Sequence, residues 1–369
     1  MRIGIDARFW HETGVGRYIR NLVFELEKLD TPHEFVLFVR QQDASGIRSS
    51  LKNPKFNVVG TKIHWHSLQE QLEFPDVINK EKVDLMHFTY FSVPIRYHRP
   101  YVVTIHDLII HHFATGEATT LPLPLYKLKV LGYRFIISQA AKHACKVIAV
   151  SDATKKEILD HLHIQKIAVT TIYEGVDGAL ERSGKASSNS LGKYFLHVGN
   201  VYPHKNAKRL IDAFVRLDLP ETSLVFVGKK DYFMKDLETY AKSKFKSETI
   251  KFLGFVDDRA LSDLYHNALA TVVPSLMEGF GLPVLEAMAN NSLVLASDIP
   301  SLKEVAGDAA VYFNPFEVAD ISAKIRHIAE ANVHAFDDYK KKGLAKTAQY
   351  SWADMAKKTI DIYESCISV

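Results

Sequence analysis

Twice along this chain, short apolar runs alternate with helical stretches, and that alternation constrains the fold more than any other feature. The first series reads RIGIDA, a helix from about Arg17, EFVLFVR, DLMHF, YVVTIHD, a long helix near Pro124 to Ala144, KVIAVS, a further helix and AVTTIY. This order predicts a parallel sheet with covering helices. After Val176 the stretch DGALERSGKASSNSLGK loses periodicity and gains Ser and Gly, which marks a linker. A second series then runs YFLHVGN, SLVFVG, IKFLG, LATVVP, LVLAS and AAVYF. No sequence repeat relates the halves, so they are alike only in architecture.

A chain of 369 residues with 47% hydrophobic content is too long for one ordinary core and sufficient for two domains. Residues 1–176 and 193–350 form the expected domains, with 177–192 as linker. The formal net charge of +3 gives no indication of a nucleic-acid partner. Only Cys145 and Cys366 are present, neither in a metal or redox spacing, and they read as thiols in a reducing compartment. RIGIDA reads as a first core strand rather than a signal peptide, and no apolar run approaches a membrane span. The expected location is the cytoplasm.

Chemistry concentrates in EGFGLPVLE, Glu278 to Glu286, which follows the apolar strand LATVVP and opens a helix with Pro283 in its first turn. Gly279 and Gly281 permit a sharp turn, so amides around Phe280, Gly281 and Leu282 are expected to point outward at the positive end of the helix dipole. Such a nest suits a diphosphate. The carboxylates should instead accept hydrogen bonds from neutral hydroxyls, Glu278 from a transferred sugar and Glu286 from a ribose. A dipole-complementing Glu286 and a solvated Glu278 are the plainer alternatives. In VGNVYPHKN a strand ends at Val198 and Asn206 is placed to cap the helix AKRLIDAF. Lys205 then sits beside a helix N-terminus, where its ammonium can neutralise a diphosphate.

EGFGLPVLE resembles the E-x7-E signature of retaining glycosyltransferases of the GT-B fold, in particular glycosyltransferase family 4. TGVGRY, VTIHD, YEGVD, VGNVYPHKN and LGFVDD occur in that family's order, and the ordered set is what is specific. The resemblance implies two Rossmann-like domains facing across a cleft, the first taking the acceptor and the second the sugar nucleotide. It also implies a last helix, about Ser351 to Ser365, that crosses back to the first domain. Glu278 matches the acid that contacts the donor sugar and Glu286 the acid on the ribose. His106, closing VVTIHD, matches a histidine near the transferred sugar, although a strand-end His followed by Asp is also an ordinary turn. Gly14 and Gly16 would bring amides close to the diphosphate. Val256 would meet the base edge through its backbone, and Leu261 would line that pocket; a core role stays open for both. One departure stands out. The family commonly has an arginine directly after the strand-ending glycine, and this chain has Asn200, leaving Lys229, Lys230 and Arg17 as other sources of a second cation.

No Asp-x-Asp motif is present, and the pairs His64/His66, His111/His112 and His161/His163 have neither a metal-site spacing nor a matching acid. Metal-independent transfer, with no cofactor, is therefore expected. YKLKVLGYRFIISQAAKHACK mixes Lys127, Lys129, Arg134, Lys142 and Lys146 with apolar residues, which fits a solvated basic face or a peripheral membrane contact. The run from YPHKN to EGFGLPVLEAMA resembles bacterial mannosyltransferases of surface polysaccharide or glycolipid synthesis, favouring GDP-mannose as donor over a UDP-hexose. The acceptor, a glycan or lipid-linked sugar, would be bound by loops such as Leu108 to Leu123. A nucleotide-sugar epimerase of the same fold and a non-catalytic sugar-nucleotide binding protein remain as alternatives. A nicotinamide-dependent oxidoreductase is disfavoured, because neither half opens with G-x-G-x-x-G.

Overall fold

The computed structural model describes all residues except 115, 117–118, 120, 166–167, 177–190, 245–248, 333 and 368–369. Most of the expected linker, and part of the loop assigned to the acceptor, lie outside the described residues. The chain divides into two compact units, Met1–Gly175 with Ser351–Val369, and Val176–Tyr350.

The first unit holds a seven-stranded parallel sheet: β1 Arg2–Asp6, β2 Glu34–Arg40, β3 Phe56–Thr61, β4 Leu85–Phe88, β5 Tyr101–Ile105, β6 Lys146–Ala149 and β7 Val169–Thr171. Its spatial order is β3-β2-β1-β4-β5-β6-β7. Both faces are covered, so the central strands are apolar almost throughout, as β4 and β5 are buried at every position. Phe38, Phe74, Phe88, Val103 and Ile137 belong to its core. The strand β3, absent from the sequence reading, is a half-buried edge paired to β2 from Phe35↔Phe56 to Arg40↔Thr61.

The last helix, Trp352–Ser365, belongs to this first unit. Ser351 caps it by accepting from Asp354 N, and it packs along the helix Gly14–Lys28. Tyr363 reaches the sheet, where its hydroxyl lies 2.6 Å from His87 Nδ1, and the same imidazole meets Thr104 Oγ1 at 2.8 Å through Nε2. These contacts satisfy both nitrogens of a fully buried ring.

The second unit repeats the plan with β8 Lys193–Val198, β9 Thr222–Val227, β10 Ile250–Gly254, β11 Ala270–Val273, β12 Val294–Ser297 and β13 Ala310–Phe313. The order is β10-β9-β8-β11-β12-β13, all parallel. The chain therefore starts in mid-sheet, winds outward one way and then returns to wind the other. Strand order reverses between β8 and β11, and in such sheets ligands bind beyond the strand carboxyl ends at that reversal. The loops leaving β8 and β11 carry VGNVYPHKN and EGFGLPVLE. No described helix is long and apolar enough to cross a membrane.

Candidate functional site

The loop after β8 passes through the short turn Pro203–Lys205, and the loop after β11 runs to Gly281. They are tied together by Leu276 N donating to His204 O at 2.7 Å. Asn206 does not cap its helix: it sits at φ 60°, ψ 24°, and its Nδ2 donates to the carbonyls of Pro274 and Pro315 at 3.0 and 2.9 Å. Its side chain serves as a strut between three strand-end loops, because an amide can donate twice where a cap only accepts. Arg209 completes the strut by donating to Asn206 Oδ1 at 2.6 Å.

That strut sets Lys205 against Glu278. The ammonium donates to both carboxylate oxygens, at 2.6 and 2.7 Å, and Ser275 Oγ donates to Oε1 at 2.6 Å. Burial pushes the Glu278 carboxyl up, but the charge and hydrogen bond of Lys205, with the bond from Ser275, outweigh it and hold the group below the usual carboxylate range. Burial also dominates at His204, and with Lys205 adjacent its imidazole is pushed down to about 4, so it is neutral near pH 7. The sequence reading gave Lys205 to phosphate and Glu278 to sugar as separate groups. In the structure the two form one ion pair with no net charge. An ammonium carries three N–H donors, and two are spent on Glu278.

The helix Leu282–Ala289 starts beside the pair. Gly281 holds φ 109°, a left-handed conformation that favours glycine, and a Cβ there would come within 2.6 Å of Leu302 Cδ2. The amide nest is narrower than expected. Pro283 has no N–H, Val284 N donates back to Gly281 O, and the Phe280 side chain is buried edge-on against Tyr350. The N–H groups of Gly281 and Leu282 make no hydrogen bond among the described residues. Gly279 lies in the preceding turn. One turn into the helix, Glu286 has one carboxylate oxygen fixed by Tyr265 OH at 2.8 Å. Tyr265 was missed in the sequence, where it reads as one apolar position of a helix. Val256 and Leu261 are half-buried on either side of the start of Asp258–Asn267, and Asn200 Oδ1 is shut from solvent without a hydrogen-bond partner.

The first unit holds the remaining sequence candidates. His106 follows β5, with Nε2 3.0 Å from Thr89 O and Nδ1 3.2 Å from Glu174 Oε1. Both ring nitrogens are thus engaged, and a sugar hydroxyl would have to displace one partner. The helix expected from Arg17 begins at Gly14, which places both glycines in its first turn rather than in a free loop. Gly14 is open, whereas a Cβ on Gly16 would meet the carbonyl oxygens of Trp10 and Phe9 at 2.7 and 2.8 Å. Arg8 was overlooked. It is fully buried at the carboxyl end of β1, where it clasps Asp6 through Nε and Nη2 (2.8 and 2.6 Å) and meets Glu70 at 2.6 Å. Only the buried acids reveal it, and Glu70 lies sixty-two positions away.

A family model described as "Glycosyltransferase Family 4" matches residues 13–179, and one described as "Glycosyl transferases group 1" matches residues 181–345. The O-antigen chain mannosyltransferase RfbU of Salmonella typhimurium is 28% identical over 267 residues, 72% of this chain and 69% of that protein. The O-antigen chain mannosyltransferase B of Escherichia coli is 29% identical over 306 residues, 76% and 74% of the two chains. The structure of Anabaena HepE in complex with UDP-glucose has the same fold, with a TM-score of 0.77 at 17% identity over 99% of this chain and 100% of that one. The two models cover successive halves, and the chain belongs to the group 1, family 4 glycosyltransferases of GT-B fold.

Proposed function

We propose that the chain transfers mannose from GDP-mannose, with retention of configuration and without a metal, to a glycan or lipid-linked acceptor in cell-surface polysaccharide synthesis. The observation that carries this reading is the Lys205–Glu278 pair at the strand-order reversal of the second sheet, eight residues before Glu286. The mannosyl preference rests on the relatives, two of which are O-antigen mannosyltransferases. A UDP-hexose donor is the second reading, favoured by the likeness to a protein bound to UDP-glucose.

In the proposed reaction the bond from sugar C1 to the phosphate oxygen breaks, and a bond from C1 to the acceptor oxygen forms on the same face. The acceptor proton passes to the departing diphosphate. Negative charge then grows on that diphosphate while the sugar gains oxocarbenium character. The third N–H of Lys205 and the N–H groups of Gly281 and Leu282 would meet the first change, and Glu278 would accept from the sugar's hydroxyls. We assign Glu286 to the ribose, Val256 and Leu261 to the base, Asn200 to a phosphate oxygen, Gly14 and Gly16 to the diphosphate, and His106 to the sugar and acceptor side.

Calorimetry tests the division of labour between the two acids. Glu286→Ala should weaken nucleoside diphosphate binding about tenfold or more, the loss of a charged hydrogen bond, while Glu278→Gln, which leaves the Lys205 ammonium free for the diphosphate, should bind it no more weakly than the parent and transfer poorly. Equal losses would undo the assignment. Incubation with a panel of sugar nucleotides decides the donor, and an epimerised donor or binding without turnover would overturn transfer.

The helix Leu123–His143 leaves Leu125, Leu128, Leu131 and Phe135 between 54 and 67% exposed on one face, beside exposed Lys127, Lys129 and Arg134. This supports a peripheral contact with an anionic bilayer at the cytoplasmic face. The chain should sediment with phosphatidylglycerol vesicles at low salt, and Leu128→Glu/Leu131→Glu should abolish it. Binding unaffected by the double variant would place the contact elsewhere.

A further inference from the structure

The structure brings together histidines that lie forty-nine positions apart in the sequence. His112, six residues beyond His106, ends the short helix Ile109–His112, and Glu157 and His161 occupy one face of the helix Asp152–Leu162 at i and i+4. His112 Nε2 is 2.6 Å and His161 Nε2 3.3 Å from the same oxygen, Glu157 Oε2, and the three ligand atoms all lie within 4.8 Å of one another. The two imidazoles stand almost perpendicular, centroids 4.9 Å apart. This is the only such group of three among the described residues. The expectation that these histidines lack a matching acid is corrected here, because Glu157 comes from the helix and not from the neighbouring sequence.

We propose that His112, Glu157 and His161 bind a first-row divalent cation, zinc above all, as a clasp between these two helices. Two imidazole nitrogens and one carboxylate oxygen are a donor set suited to zinc, and three protein ligands leave a fourth position for water. Each imidazole now directs Nε2 at the oxygen the ion would share. Moving its proton to Nδ1 frees both Nε2 lone pairs, and small side-chain shifts bring three ligands to about 2.0–2.2 Å from one centre. All three groups are partly exposed, so an ion can enter without unfolding the helices.

The fold gives the clasp a consequence. Thr154, on the same helix as Glu157 and His161, already donates its hydroxyl to the carbonyl of His106 at 3.2 Å. A metal on His112 would add a second tie between that helix and the segment leaving β5, holding the backbone on both sides of residues 107–111. Its three residues belong to the first unit and the Lys205–Glu278 pair to the second. The clasp goes beyond the proposed transfer and does not depend on it.

The test starts from protein freed of metal by chelator and dialysis, titrated with zinc against a chromophoric chelator, with cobalt as a spectroscopic probe. The parent should bind one zinc per chain at micromolar concentration and give the intense visible absorption of low-coordinate cobalt. His112→Gln and His161→Gln should each weaken zinc at least tenfold, and the double variant should lose it, while His64→Gln should bind as the parent does. Zinc at about a hundredfold over its Kd should raise the parent's Tm by several degrees and leave the double variant's unchanged. Glycosyl transfer in excess chelator reports on the proposed function instead: it should persist while the Tm increment disappears. No zinc uptake at micromolar concentration, or parent-like uptake by the double variant, would overturn the clasp.

Discussion

Lys205→Met should lower both stability and transfer, and adding Glu278→Gln should restore the first without the second. In the single variant the Glu278 carboxylate stays buried with only Ser275 to satisfy it, and breaking a buried pair by removing one partner costs about 3–5 kcal/mol. The double variant replaces charge with an apolar chain and a neutral amide of similar volume, a change that buried pairs usually tolerate. Its Tm should return to within a few degrees of the parent's. Transfer should stay down by about a hundredfold to a thousandfold, the usual loss when one preorganised donor to a developing anion is removed. Urea unfolding and donor-saturation kinetics on the parent and three variants close the cycle. A double variant that regains both would make the pair a structural strut, and the proposed chemistry would then need another cation.

How much of this was legible in the sequence depended on distance along the chain. Strands such as YVVTIHD and LATVVP are read locally, since burial on both faces writes itself as a continuous apolar run. FNVVGT escaped because an edge strand is only half-buried, and its Asn57 and Gly60 interrupt the run. The glutamates and Lys205 were found as residues but not as a pair. Their meeting needs β8 and β11 to be neighbours, and strand order is not written in either segment. The same holds for His106 with Glu174 and for His112 with His161. Asn206 was misread for a different reason: its position before a helix is what a cap requires, yet its left-handed backbone turns the side chain toward Pro274 and Pro315.

Stability should fall steadily as pH drops from 7 toward 4, driven by histidines that are buried neutral. Burial, with His106 nearby, pushes His87 down to about 3, and burial pushes His197 down to about 4. His204, half-buried, also sits at about 4, through burial first and the neighbouring Lys205 second. The sign follows from where protons bind. Below the ordinary value of 6.5 the unfolded chain takes them up and the folded chain does not, so unfolding gains with each step of acid until the folded values are reached. At pH 5 each such histidine should add about 1.4 kcal/mol per pH unit to the slope of stability against pH. Both units contain such a histidine, His87 in the first and His197 in the second, so whichever unfolds first is affected. The decisive comparison is His87→Gln, whose amide can still meet Tyr363 and Thr104 but cannot titrate. Urea unfolding of the parent and variant at pH 7, 6 and 5 should show a shallower slope in the variant whatever its stability at pH 7. Parallel slopes would mean that His87 takes up no extra proton on unfolding, and that the acid sensitivity of the first unit has another source.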